Sequence, residues 1–78
     1  MSVMSKAQFL DHLSEILEEP SGSLTGDEKL SDLEGWNSIA MISFIAFGDE
    51  HFQKILSPRL IASCVTVNDL GKLVGLQG

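Results

Sequence analysis

Few side chains in this 78-residue chain are equipped for chemistry, and the best placed of them is Ser38. It stands in GWNSIAMISFIAF, residues 35–47, where a turn-prone acidic segment gives way to a nearly unbroken apolar run. A serine hydroxyl is a weak nucleophile without an adjacent base. No Ser-His-Asp or Cys-His set can be assembled around it from the sequence, so hydrolysis is not indicated. The position does offer a helix start. The first N–H groups of a helix have no internal acceptor, and together with the helix dipole they favour an anion such as an attached phosphate. The plain alternative is a serine that caps the helix and does nothing else. Either way, whatever chemistry the chain performs depends on what becomes attached to this hydroxyl.

The remaining candidates read as structural. His12 and His51 are far apart in sequence, and neither has a second ligand at metal-binding spacing, so no zinc site is expected. His51, beside Asp49 and Glu50, reads as a solvated surface residue. Cys64 is the one cysteine, which rules out an internal disulfide and reads as a small packed hydrophobe. The acidic run from Asp27 to Glu34 suggests calcium, but Lys29 and Leu30 fall where ligands and the turn glycine of a calcium loop belong. No metal is therefore expected.

The net charge is −6, and its distribution is uneven. Asp11, Glu15, Glu18, Glu19, Asp27, Glu28, Asp32 and Glu34 face only Lys6 and Lys29 in the first part of the chain, whereas the remainder is balanced. Such a surface repels nucleic acid, so no nucleic-acid partner is expected. It favours solubility and speeds encounter with basic protein surfaces. The amino terminus has no basic stretch followed by an apolar run, and Ile39–Phe47 is far short of the roughly 20 residues of a membrane span. The expectation is a cytoplasmic monomer without a membrane span.

The elements that must position Ser38 follow from periodicity. Ser5 and Gln8 have capping-box spacing, and Phe9, Leu10, Leu13, Ile16 and Leu17 share one face, which predicts a helix over 5–18 ended by Pro20 and Gly22. Residues 19–37 read as a long loop punctuated by Leu24, Leu30, Leu33 and Trp36, which look like anchors. A second helix over 38–52 is apolar almost all round before Gly48, a residue expected to bend it or end it early. So small a chain cannot enclose it, and some of its apolar side chains must stay exposed as a contact surface. Pro58 opens a short helix over 58–63. Thr66 and Asp69 have cap spacing for a last helix over 67–76. The expected fold is all-α: one domain, 1–78, a small bundle of three main helices plus one short helix.

This layout resembles the acyl carrier proteins and the related peptidyl carriers. The resemblance rests on Gly35-Trp36-Asn37-Ser38-Ile39, on Phe52 fourteen residues past the serine, and on Thr66-Val67 before the last helix; it spans about residues 5–75. It implies that Ser38 carries covalent 4′-phosphopantetheine through a phosphodiester. It further implies that a phosphopantetheinyl transferase installs the arm, and that acyl-loading and acyl-transferring enzymes are the other partners. The chain would be a carrier, not an enzyme, serving a specialised lipid, polyketide or secondary-metabolite pathway. By the same register, Asn37, Ile39, Ile42 and Ala46 face partners, while Phe44, Ile45 and Phe52 line the core. Two departures stand out. Asn37 replaces the usual aspartate, and Ala40 and Ser43 stand where the family is commonly acidic. The alternatives are a peptidyl carrier, or an unmodified carrier-like scaffold that only binds protein.

Overall fold

Capping residues set the limits of every helix in the computed structural model, which describes residues 4–76. The outermost residues of the expected 1–78 domain lie outside the described residues. The first helix, α1, runs Lys6–Leu17. Ser5 Oγ accepts from the Gln8 N–H at 3.2 Å and Gln8 Oε1 from the Ser5 N–H at 2.9 Å, a complete capping box. The helix stops before Pro20 and Gly22 can act. Glu18 itself turns left-handed, φ 58°, and the Glu19 N–H reaches back to the Ser14 carbonyl at 2.8 Å. Phe9, Leu13 and Leu17 are buried, with Leu10 and Ile16 half-buried beside them.

The second helix, α2, runs Ser38–Phe52 and buries Ala40, Phe44, Phe47 and Gly48, of which Phe44 and Phe47 pack on α1. Phe9 meets the Phe44 ring edge-on at 6.2 Å and Phe47 at 5.9 Å. Gly48 does not end the helix, which runs on to Phe52. It is a contact glycine: a Cβ there would lie 2.7 Å from Leu56 Cδ1, so the missing side chain lets Leu56 close over the helix. The helix ends at Gln53, left-handed at φ 51°, where the Lys54 N–H bonds the Gly48 carbonyl.

The short α3, Pro58–Ala62, is capped by Ser57 and inserts Ile61 into the core. The last helix, α4, covers Val67–Leu73 behind a Thr66–Asp69 capping box. It stops short of the expected residue 76 because Gly75 adopts φ 88°, and the Leu76 N–H folds back onto the Gly71 carbonyl. The architecture is the expected all-α bundle, and no strand is present among the described residues.

The long loop is more ordered than its composition suggests. Leu24 and Leu30 are buried, and Leu33 and Trp36 pack on the core. A 3-10 turn over Leu30–Asp32 and an isolated antiparallel bridge, Lys29 to Thr66, were not foreseen. Around that bridge the Leu30 N–H donates to Val65, Val67 to Glu28 and Asn68 to Gly26. The loop is thus fastened to the start of α4. Two of its acidic residues accept from backbone and side-chain donors. Glu28 accepts from the Thr25 and Gly26 N–H groups, each at 2.8 Å, and Asp27 from the Asn68 amide at 3.1 Å. Across the bridge, Asp69 accepts from the Val65 and Thr66 N–H groups.

These bonds set the acid response. Desolvation pushes the Glu28 carboxyl up, but the N–H bonds together outweigh it and hold it below its ordinary value. The Val65 and Thr66 N–H groups hold Asp69 low in the same way. A carboxylate whose folded pKa is depressed stabilises the fold above its unfolded pKa, and that contribution is lost as pH falls through the folded value. The thermal midpoint should therefore fall as pH drops below the ordinary carboxylate range. The slope should be shallower in a Glu28→Gln, Asp69→Asn double variant; equal slopes in the two proteins would contradict this account. Gly35 offers a second measurement. A Cβ at Gly35 would collide with the Leu17 carbonyl oxygen, which is backbone and cannot rotate away. Gly35→Ala should cost about 1–3 kcal/mol in chemical denaturation, and an unchanged midpoint would refute the close approach.

Candidate functional site

The loop reaches α2 already held on two sides. At Gly35 its backbone presses on the carboxyl end of α1. One residue later Trp36, half-buried, sets its ring edge-on to Phe44 at 6.3 Å and 72°. Asn37 then caps the helix: its backbone is extended and its Oδ1 accepts from the Ala40 N–H at 2.9 Å. Its carbonyl takes the first helical bond, from the Met41 N–H, also at 2.9 Å.

Ser38 is therefore the first residue of the helix proper, not its cap. Its side chain is exposed, and no hydrogen bond engages its hydroxyl among the described residues. The structure thus removes the plain alternative of a capping serine. The first turn of α2 carries no acidic residue, and a helix start is electropositive by virtue of its unpaired N–H groups. A free alcohol beside those groups, with no carboxylate in the turn to repel an anion, fits a phosphodiester-linked group.

Beyond Ser38, the exposed residues of α2 form a stripe. Ile39 is 76% exposed, Ile42 67%, and Ala46 lies further along the same face. Beside the stripe runs a cleft of about 480 Å³ lined by Ile42, Ile45, Ala46, Asp49, Ile55 and Leu56. Of the three residues expected in the core, Phe44 is fully buried, whereas Ile45 and Phe52 are half-buried and pack on it from outside. Ile55, 90% exposed on the far bank of the cleft, was missed from sequence. Only its position just past the helix end, after Gln53 and Lys54, could have pointed to it. A second cleft of about 360 Å³, lined in part by Trp36, Met41, Ile61 and Cys64, lies between the loop and α3.

The histidine reading needs correction. The fold brings His12 and His51 together across α1 and α2, with ring centroids 5.1 Å apart and both rings against Phe47, at 5.3 Å and 4.9 Å. His51 is half-buried rather than solvated. Part of this was legible, since Phe47 and His51 are four residues apart on one helix face. Even so, no group of three or more His, Cys, Asp or Glu residues among the described residues could hold a metal ion. Cys64 is half-buried, with its Sγ 3.8 Å from the Leu60 carbonyl. Burial first, then the Asp69 charge, pushes its thiol up against a weaker pull from Ser63, which disfavours the reactive thiolate. No helix of the described residues is long and apolar enough to cross a membrane.

A family model described as a phosphopantetheine attachment site matches residues 7–74. No curated protein and no solved structure matches the chain. The family match runs from α1 through α4 and so takes in the whole bundle, not merely the surroundings of one serine. The chain accordingly belongs to the phosphopantetheine attachment-site family, that of the acyl carrier proteins, whose prosthetic group is covalent 4′-phosphopantetheine.

Proposed function

We propose that Ser38 is the attachment residue, and that the chain acts as an acyl carrier domain, monomeric and cytoplasmic, with no catalysis of its own. The carrying observation is the exposed Ser38 hydroxyl, left without a partner because Asn37 has taken over the cap. The attached arm supplies a distal thiol that holds an acyl group as a thioester. The chain's own residues do the rest. Gly35, Trp36 and Asn37 fix where the helix begins and so where the hydroxyl stands. The first N–H groups of α2 favour the phosphodiester charge. The hydroxyl needs no base from this chain, because the phosphopantetheinyl transferase brings both base and metal ion.

Asn37, Ile39, Ile42 and Ala46 surround or follow Ser38 on the exposed side of α2 and are the proposed contacts for the transferase and for acyl-loading and acyl-transferring enzymes. The absence of charge from the first three turns of α2 favours partners in a specialised lipid, polyketide or secondary-metabolite pathway over partners selected by an acidic helix.

Incubation with coenzyme A, magnesium and a broad-specificity transferase should raise the mass of the chain by one phosphopantetheine, and Ser38→Ala should abolish the gain. An unmodified wild-type chain after several such transferases would favour the scaffold reading instead. Asn37→Asp probes the family departure. Asparagine and aspartate cap about equally, so stability should shift by less than about 0.5 kcal/mol. The modification rate should rise if the usual carboxylate assists the transferase or its metal, and we expect that rise. An unchanged rate would leave Asn37 as a cap alone.

A further inference from the structure

We propose that His12 and His51 together bind one divalent transition-metal ion, which clasps α1 to the last turn of α2. The site is independent of the Ser38 reading, because His51 stands at the opposite end of α2 from Ser38. In the fold the two ring centroids are 5.1 Å apart at 45°, and both rings rest on Phe47. Metal–nitrogen bonds of about 2.0–2.1 Å place two imidazole nitrogens on one ion roughly 3–3.5 Å apart. Rings with centres 5.1 Å apart reach that span by rotating in place, with both helices left where they are. The imidazoles are also accessible. Neither makes a hydrogen bond among the described residues, and no side-chain nitrogen there is both buried and unpartnered, so their nitrogens are open to water. Packing on Phe47 restricts the rings and so lowers the ordering cost of binding.

The surroundings favour a cation. Asp11 and Glu15 flank His12 on α1, and Asp49 and Glu50 flank His51 on α2, in a chain of net charge −6. Asp11 and Glu15 also line a small cleft of about 150 Å³ with His12 and Gln8. Carboxylates are the acceptors that ligating imidazoles commonly use for their other ring N–H. The donor set names the class of ion. Two imidazoles suit zinc, copper and nickel, whereas magnesium and calcium take oxygen ligands. Two protein ligands leave the remaining positions to water, so the ion exchanges with solvent, unlike one closed in by four side chains. An ion held across two helices binds the folded chain and not the unfolded one, and so stabilises the bundle by mass action.

Zinc chloride titrated into the full, unmodified chain should bind calorimetrically at one ion per chain. The chain has two histidines, so proton NMR follows both rings directly. Their signals should shift together and saturate at the same one-to-one ratio, while magnesium chloride at equal concentration leaves them in place. His12→Gln and His51→Gln should each weaken zinc binding by about ten-fold or more and remove the zinc-dependent rise in thermal midpoint. An unchanged helical circular dichroism spectrum verifies the fold of each variant. Ser38→Ala should bind zinc as its parent does, whatever becomes of the attachment reading. A shift of one ring alone, an equal response to magnesium, a folded variant that binds zinc as well as its parent, or no binding at all would overturn the proposal. So would half an ion per chain with a doubled sedimenting mass, which would assign the histidines to a bridge between two copies.

Discussion

One hydrogen bond organises the site: Asn37 Oδ1 holding the Ala40 N–H. A helix start has several unpaired donors and commonly recruits the side chain just before it to satisfy one. Had Ser38 been that side chain, its hydroxyl would be turned back into the helix and occupied. With asparagine one residue earlier, the cap is complete and the next hydroxyl is surplus. Asparagine also does this without a charge, so the first turn stays free of anything that would repel a phosphodiester. The same exchange removes a carboxylate that the family usually places there, which is why Asn37 is both the cap that leaves Ser38 unengaged and the most consequential departure.

The cap works only because the chain arrives at the right place. Gly35 presses against the end of α1 with no room for a side chain, and Trp36 turns its ring onto Phe44. Further back, the loop is bonded to the start of α4 through the Lys29–Thr66 bridge and its neighbours. Glu28 and Asp69 satisfy the backbone donors that this route exposes on either side of that bridge. A segment rich in serine, glycine and acid, which composition alone would make a flexible tether, is thereby a fixed strap that holds one residue at a helix tip.

Size explains the rest of the surface. A bundle of four helices this short buries one face of α2, through Ala40, Phe44 and Phe47, and has nothing left to cover the other. Gly48 shows the same economy from inside: its absent side chain is where Leu56 closes the core. The apolar residues that remain outside begin beside Ser38, so the property that makes α2 a poor surface helix also marks the face proposed for partners.

Much of this was written in local sequence. The caps at Ser5 and Thr66, the proline opening α3, the anchoring leucines of the loop and the apolar run of α2 each depend on residues within a few positions of one another, and local hydrogen bonding and periodicity decide them. Tertiary structure decided what depends on distant residues. Which isoleucines of α2 stay outside depends on where α1 lies. Ile55 is exposed and Gly48 filled because of how the chain returns after α2, and α4 ends early because Gly75 turns left-handed to let Leu76 fold back. His12 meets His51, and Asp27 meets Asn68, across long sequence separations that no periodicity encodes. The sequence by itself determined that a serine would stand at a helix start; only the packed chain decided that its hydroxyl would be free, because that depends on which neighbour reaches the helix's donors first and on how the loop is held while it does.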